Sequence, residues 1–103
     1  MKITNAKLKE ILRDIISDDE ELNDIIILEG DEFAGGAVGI SQDNHVVYDC
    51  EKLIESLMRY NNWTFEEAIE WINYNTLRAL PYMKNDGKEP IIIVDKFENY
   101  LED

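Results

Sequence analysis

The stretch "AVGISQDNHVVY", residues 37 to 48, decides the fold class of this chain. Two short apolar runs, residues 37 to 40 and 45 to 48, flank a Ser-Gln-Asp-Asn segment, and Asp and Asn are typical turn residues. This pattern predicts a β-hairpin in the middle of the chain. A sheet is therefore expected, and the other segments have to be arranged around it.

Two more β-branched runs predict strands before and after the hairpin. Residues 25 to 28 read Ile-Ile-Ile-Leu, a run that is too short for a helix and lies between acidic residues. Residues 91 to 94 read Ile-Ile-Ile-Val and follow a turn-rich segment at residues 84 to 87 and then Pro90. We therefore expect a small sheet of three to four strands.

Three segments have the periodicity and the caps of amphipathic helices. The first covers residues 5 to 16, and the second begins at Asp49 as N-cap and ends near residue 60. The third begins at Thr64, whose capping box is closed by Glu67, and ends before Pro81. The sequence thus predicts an α+β fold in a single domain, residues 1 to 103, with three main helices packed mainly on one face of the sheet.

The third helix carries two stripes of side chains. The predicted core stripe consists of Phe65, Ala68, Ile69, Ile72, Thr76, Ala79 and Leu80. The second stripe consists of Glu67, Trp71, Tyr74 and Arg78, spaced at i, i+4, i+7 and i+11. Two interpretations stay open: another element of the fold covers the second stripe, or the stripe is an interface, because Trp, Tyr and Arg commonly anchor partner contacts.

Charge is the most unusual property of the sequence. The 103 residues include 23 acidic and 10 basic side chains, which gives a net charge of −13, and no Lys or Arg lies between Arg13 and Lys52. The acids predicted to contact a partner are Asp18, Asp19, Glu20, Glu21, Asp24, Glu29, Asp31 and Glu32. Such a field repels nucleic acid and anionic lipid and attracts basic protein surfaces. The alternative is that the acids only keep the chain soluble.

Some of these acids also have a structural interpretation. Ser17 and Glu20 have the spacing of a capping box, which predicts a short helix with acidic side chains at its favourable N-terminal end.

A single cysteine, Cys50, rules out an intramolecular disulfide. No signal peptide or long apolar run is visible, so we expect a cytoplasmic protein.

No segment of the sequence predicts catalysis or a cofactor. His45 and Cys50 lack an accompanying oxyanion motif, and a Cys on an apolar helix stripe is usually a core residue. Glu29, Asp31 and Glu32 lack the spacing of an EF-hand. We therefore predict a protein that is not an enzyme, with no catalytic residue, no metal site and no cofactor.

Direct binding of nucleic acid is not expected either. The second and third helices are joined by a short loop, as in a helix-turn-helix, but the first half of the third helix presents Glu66, Glu67 and Glu70. A DNA-reading helix presents Arg, Lys, Asn or Gln to base edges at that place.

The segments "VVYDCEKLIESLM" and "EEAIEWINYNTLRALPY" resemble those of a group of small proteins encoded by bacteriophages and prophages. In that group a Tyr-Asp-x-x-Lys pattern precedes a Glu-Glu-Ala-Ile-Glu-aromatic-Ile-x-Tyr-Asn-Thr-x-Arg-Ala-x-Pro-Tyr pattern. The patterns fall here on Tyr48, Asp49 and Lys52 and on residues 66 to 82, and the resemblance covers about residues 25 to 94. It implies a phage context, hence the host bacterial cytoplasm, and assigns no functional residue.

Together these features predict a non-enzymatic phage protein that binds a basic protein surface. Its expected partner is a nuclease or another nucleic-acid-binding protein of the host, such as a CRISPR effector or a restriction enzyme, which it would inhibit by DNA mimicry. The alternative is a phage accessory or structural protein that self-associates, for example as a homodimer, through the Trp71 face.

Overall fold

The computed structural model of the protein describes residues 3 to 83 and 87 to 101. Its helices are α1 Asn5–Ile15, α2 Asp19–Asp24, α3 Asp31–Ala34, α4 Cys50–Asn61, α5 Phe65–Trp71 and α6 Leu80–Met83, with a π-helical segment at Ile72–Leu77 and a 3-10 turn at Phe97–Tyr100. The strands are β1 Ala37–Ile40, β2 Val46–Asp49 and β3 Ile91–Ile93. The predicted α+β class is confirmed.

The sheet is mixed, and its strands lie in the order β1-β2-β3. β1 and β2 form the predicted antiparallel hairpin, in which Ile40 pairs with Val46. The turn is closed by Asn44, whose backbone is left-handed, with a φ of 67° that Asn tolerates better than most residues. β3 joins the other edge of β2 in parallel, with Val47 opposite Ile91.

The helix starts follow the side chains that the sequence indicated. Asp49 caps α4 by accepting a hydrogen bond from the Glu51 backbone N–H at 3.0 Å. At α5, Thr64 and Glu67 form the complete predicted capping box, with both side-chain-to-backbone hydrogen bonds present. These caps satisfy backbone donors that have no partner within the helix, so the sequence fixes where both helices begin.

The core lies between the sheet and α4, which packs on β2 and also contacts α3 and α5. Its most completely buried side chains include Val46, Tyr48, Leu53, Leu57 and Ile72. The Tyr48 hydroxyl, although buried, accepts a hydrogen bond from the Leu28 backbone N–H at 3.0 Å. This hydrogen bond ties the segment before α3 to the sheet.

Residues 25 to 28 do not form the strand that the sequence predicted. Ile25 makes a single parallel bridge to Lys88, and the Leu28 backbone N–H is bonded to the Tyr48 side chain instead of a neighbouring strand. A run of β-branched residues favours the extended conformation of a strand. A strand in a sheet also needs a neighbouring segment of similar length to form hydrogen bonds with it. The predicted turn at 84 to 87 lies outside the described residues except for Gly87.

Two smaller predictions near the helices were wrong, and one helix was missed. α2 is capped by Asp18 and not by Ser17, because the Asp18 carboxylate accepts the Glu20 backbone N–H at 2.9 Å. Phe65, predicted to be in the core, is the first residue of α5 and is 55% exposed. The short helix α3 was not predicted at all.

Gly87 provides the first testable prediction. Its φ is 157°, and a Cβ there would collide with the Asp24 carbonyl oxygen, which cannot move away because it accepts the Lys88 N–H at 2.7 Å. Gly87→Ala should therefore lower the free energy of unfolding by about 2 kcal/mol. Gly39→Ala is the matched control, since a Cβ at Gly39 meets nothing within 4 Å. Equal urea midpoints for the two variants would contradict this prediction.

Candidate partner-binding site

The first group of predicted contact acids lies on and just before α2. Asp18, Asp19, Glu20 and Asp24 are exposed, whereas Glu21 is partly buried. Asp18 is committed to capping the helix, and the acids of the first turn lie at the positive end of the helix dipole, which stabilises them. We call Asp18, Asp19, Glu20, Glu21 and Asp24 the α2 acid cluster.

Glu21 differs from its neighbours because it is bonded inside the fold. Its carboxylate accepts the Lys88 ammonium at 2.9 Å and the Asn44 side-chain amide at 3.2 Å. The Lys88 hydrogen bond is the main reason why the pKa of Glu21 lies below its ordinary value. Lys88 also donates to the Asp43 carbonyl oxygen at 2.8 Å. Glu21 thus joins α2 to the hairpin turn and to the segment before β3.

The remaining predicted acids lie elsewhere. Asp31 begins α3, and its carboxylate accepts the Asn5 backbone N–H at 2.9 Å, at the N-terminal end of α1. The α2 acid cluster follows the opposite end of α1, and an 11-residue helix is about 16 Å long. Glu29 and Glu32 are close to Asp31 in the sequence. The eight acids therefore form two separate groups rather than one patch.

The structure also divides the second stripe of the third helix. Trp71 is half-buried, and its ring lies 5.3 Å from the ring of Phe33 and 6.2 Å from that of Trp63, measured between centroids. Tyr74 is 58% exposed, and the Arg78 guanidinium carbon lies 4.5 Å from the centre of its ring. Trp71 is thus internal packing for the most part, while Tyr74 and Arg78 face the solvent.

A change of helix type separates the two halves of this stripe. After Trp71 the chain continues as a π-helical segment, which has more residues per turn than an α-helix. The Asn75 side chain donates to the Trp71 carbonyl oxygen at 3.2 Å, an oxygen that would accept the Asn75 backbone N–H in a regular α-helix. Trp71, Tyr74 and Asn75 nevertheless line one surface depression.

These side chains line an open cavity of about 340 Å³ on the surface of the third helix. We call it the aromatic notch, and its lining residues are Trp63, Glu67, Glu70, Trp71, Tyr74 and Asn75. Three aromatic and two acidic residues therefore line one surface depression. No Lys or Arg is among its lining residues.

Trp63 and Glu70 are members of this site that the sequence analysis did not single out. A signal for Trp63 was present, because it precedes the N-cap Thr64, and an apolar residue at that position commonly packs on the residue four places into the helix, here Ala68. Applied to this chain, the rule places Trp63 one helical turn from Trp71. Glu70 lies on the same helix face as Glu67 and Trp71.

The residues considered for catalysis are involved in other contacts. The Nδ1 atom of His45 lies 2.7 Å from the Glu89 carbonyl oxygen, so this nitrogen carries a proton. The pKa of Cys50 is raised, first by burial and then by the charges of Asp49 and Glu51. Its sulfur is therefore a thiol at neutral pH, whereas the nucleophilic form is the thiolate.

Neither a metal-binding group nor a membrane-spanning helix is found in the described part of the chain. Within residues 3 to 83 and 87 to 101, no three His, Cys, Asp or Glu side chains are grouped so that they could hold a metal ion. The same part of the chain has no helix with the length and apolarity needed to cross a bilayer.

Compared with models of protein families, with curated proteins and with solved structures, the chain has no match.

Proposed function

We propose that this protein is a binding module that engages a basic protein surface through its acidic side chains. The observation that carries the proposal is the lack of internal compensation for the charge. Of the eight acids predicted to contact a partner, only Glu21 forms an ion pair among the described residues. Asp18 and Asp31 accept backbone hydrogen bonds, but none of the other seven acids is paired with a Lys or Arg among the described residues, and a basic partner would supply that pairing.

The spread of the acids favours an extended partner surface. The two groups of acids lie at opposite ends of α1, so they can contact Lys and Arg side chains that are themselves distributed over a surface. Proteins that bind nucleic acid present such surfaces to phosphates. We propose that the partner is a nucleic-acid-handling or defence protein of a bacterial host, inhibited by occupation of its DNA-binding surface. The phage context of the sequence resemblance supports this choice.

Charge removal tests the proposal. Asp19→Asn with Glu20→Gln removes two exposed charges whose side chains take no part in the hydrogen bonds or ion pairs of the described residues. The matched control, Glu55→Gln with Glu66→Gln, removes two exposed charges on α4 and α5. The immobilised protein should retain basic nucleic-acid-binding proteins from a bacterial lysate. The α2 variant should retain them about threefold to tenfold more weakly than the control.

Two further results are required. Retention should fall steeply as the salt concentration rises, and duplex DNA should compete for the retained proteins, because both ligands would use one basic surface. Equal retention by the two variants would contradict the proposal. Retention that duplex DNA does not reduce would contradict the mimicry.

Self-association is a second candidate function, and a different surface favours it. Several large apolar side chains near the end of the chain are exposed: Val94, Phe97, Tyr100 and Leu101, with Phe97 at 88%. Exposed apolar groups of this size commonly mark protein contacts. Sedimentation of the protein distinguishes the two candidates. A stable homodimer that retains no basic protein would favour self-association.

A further inference from the structure

We propose that the aromatic notch binds one cationic side chain, a lysine or arginine on the surface of a basic protein partner. This inference rests on the proposed function and names a specific contact for it. The notch is separate from the α2 acid cluster, so the two can be tested independently. Its volume of about 340 Å³ is at the lower end for ligand sites, which suits a single long side chain.

The aromatic rings supply the first part of the argument. The face of an aromatic ring carries partial negative charge and attracts ammonium and guanidinium groups, most strongly for Trp and then for Tyr. Trp63, Trp71 and Tyr74 all line the notch. The fold already contains an example of the interaction, since Arg78 stacks on the Tyr74 ring at 4.5 Å. Arg78 itself does not line the notch.

The carboxylates supply the second part. Glu67 uses its Oε1 atom to accept the Thr64 backbone N–H at 3.0 Å, which holds the side chain in place. Glu70 is exposed and forms no ion pair within the described parts of the chain. The Glu70 carboxylate and the second carboxylate oxygen of Glu67 can therefore contact a cation that binds at the notch. Rings alone would also accept an apolar group, but rings with two unneutralised acids favour a charged one.

The site is also largely held in shape before a ligand arrives. Trp71 is fixed between Phe33 and Trp63, and the Asn75 side chain is bonded to the Trp71 backbone. A preorganised site loses less conformational entropy on binding than a mobile one.

Tryptophan fluorescence provides the test. The chain has two tryptophans, Trp63 and Trp71, and both line the notch, so the intrinsic emission reports on the site without a label. Titration of the full chain with an N-acetylated, C-amidated tetralysine peptide should shift the emission in a saturable way. The same peptide with all four lysine side chains acetylated is neutral and should produce no saturable shift.

Two variants assign the shift to the notch. Tyr74→Leu removes a ring but keeps an apolar side chain, and Glu70→Gln removes one charge. Each should weaken tetralysine binding about twofold to fivefold. Glu55→Gln removes an exposed charge outside the notch and should weaken binding less than either. Tyr74 is mostly exposed, so Tyr74→Leu should remain folded, and a thermal melt followed by circular dichroism checks this.

The inference is overturned if the neutral peptide produces the same shift, or if Tyr74→Leu and Glu70→Gln bind tetralysine as the unmodified chain does. Retention of basic proteins that depends on Asp19 and Glu20, with no peptide response at the notch, would overturn this inference and leave the proposed function standing. Loss of both responses would overturn both.

Discussion

Trp71→Ala is expected to lower the free energy of unfolding by about 3 kcal/mol, whereas Tyr74→Ala should change it by less than about 0.5 kcal/mol. The two side chains are three residues apart on one helix face, but Trp71 packs on Phe33 and Trp63 while Tyr74 is 58% exposed. Truncation of Trp71 leaves a gap beside the core that neighbouring rings cannot fill. Truncation of Tyr74 mainly exposes Arg78.

Urea unfolding followed by circular dichroism measures both values, since a fluorescence signal would change with the loss of Trp71. The result also decides how the second stripe of the third helix is used. Nearly equal small losses would show that the stripe is not internal packing. A large loss for Tyr74→Ala would mean that Tyr74 is covered, for instance by a second copy of the chain, and sedimentation of the unmodified protein would then show the dimer.

Stability is expected to fall by roughly 2 kcal/mol between pH 10 and pH 12 because of a single buried phenol. Burial raises the pKa of Tyr48 to about 12, from an ordinary value near 10. The folded protein therefore keeps the Tyr48 proton over a pH range in which the unfolded chain releases it. The contribution of this group is complete only well below pH 10, and it is lost as the pH rises through 12.

Tyr48→Phe provides the comparison for this prediction. The variant should lose about 1 to 2 kcal/mol at neutral pH, because the Leu28 backbone N–H loses its acceptor. Its stability should then depend less on pH between 10 and 12 than that of the unmodified chain. Tyr82→Phe, at a side chain that is 77% exposed, is the control and should leave the pH dependence unchanged. Parallel pH profiles for Tyr48→Phe and the unmodified chain would contradict the assignment.

The features that the sequence predicted correctly depend on local chemistry. The hairpin, the N-cap at Asp49 and the capping box at Thr64 each follow from a few neighbouring residues, and all three are confirmed. The core stripe of the third helix was correct in part: Ala68, Ile72 and Thr76 are buried, Ile69, Ala79 and Leu80 are partly buried, and Phe65 is exposed. Periodicity predicts such stripes because side-chain spacing on a helix is fixed by backbone geometry.

The features that the sequence did not predict depend on distant partners. Residues 25 to 28 have the composition of a strand, but their neighbours are a tyrosine hydroxyl and a single bridge at Lys88. Lys88 bonds to Glu21 and to the Asp43 backbone across more than 40 residues of sequence. No local pattern reveals such a contact, and the base-free window around Glu21 gave no sign that a lysine would reach it.

The candidate site was predicted only in part, because its geometry also depends on features that a local sequence pattern does not reveal. Trp71, Tyr74 and Arg78 were found from their helical spacing, but the spacing assumed one helix type throughout. The π-helical segment begins directly after Trp71, so a continuous α-helical period cannot describe both sides of it. Asp31 and the α2 acid cluster are separated because they lie near different ends of α1. The number of acidic residues in the sequence gives no information about that arrangement.

The parallel pairing of β3 with β2 has a consequence for the order in which the fold assembles. The β1–β2 hairpin joins residues 6 to 11 positions apart, whereas Val47 and Ile91 are 44 positions apart, with α4, α5 and the π-helical segment between them. Closing a long loop costs entropy before its contacts can form, so the hairpin and the helices behind it should assemble first. β3 would then dock on a preformed template, and the Lys88 hydrogen bonds would be among the last to form. By the same reasoning, we expect β3 to be the first segment to detach when the native protein opens.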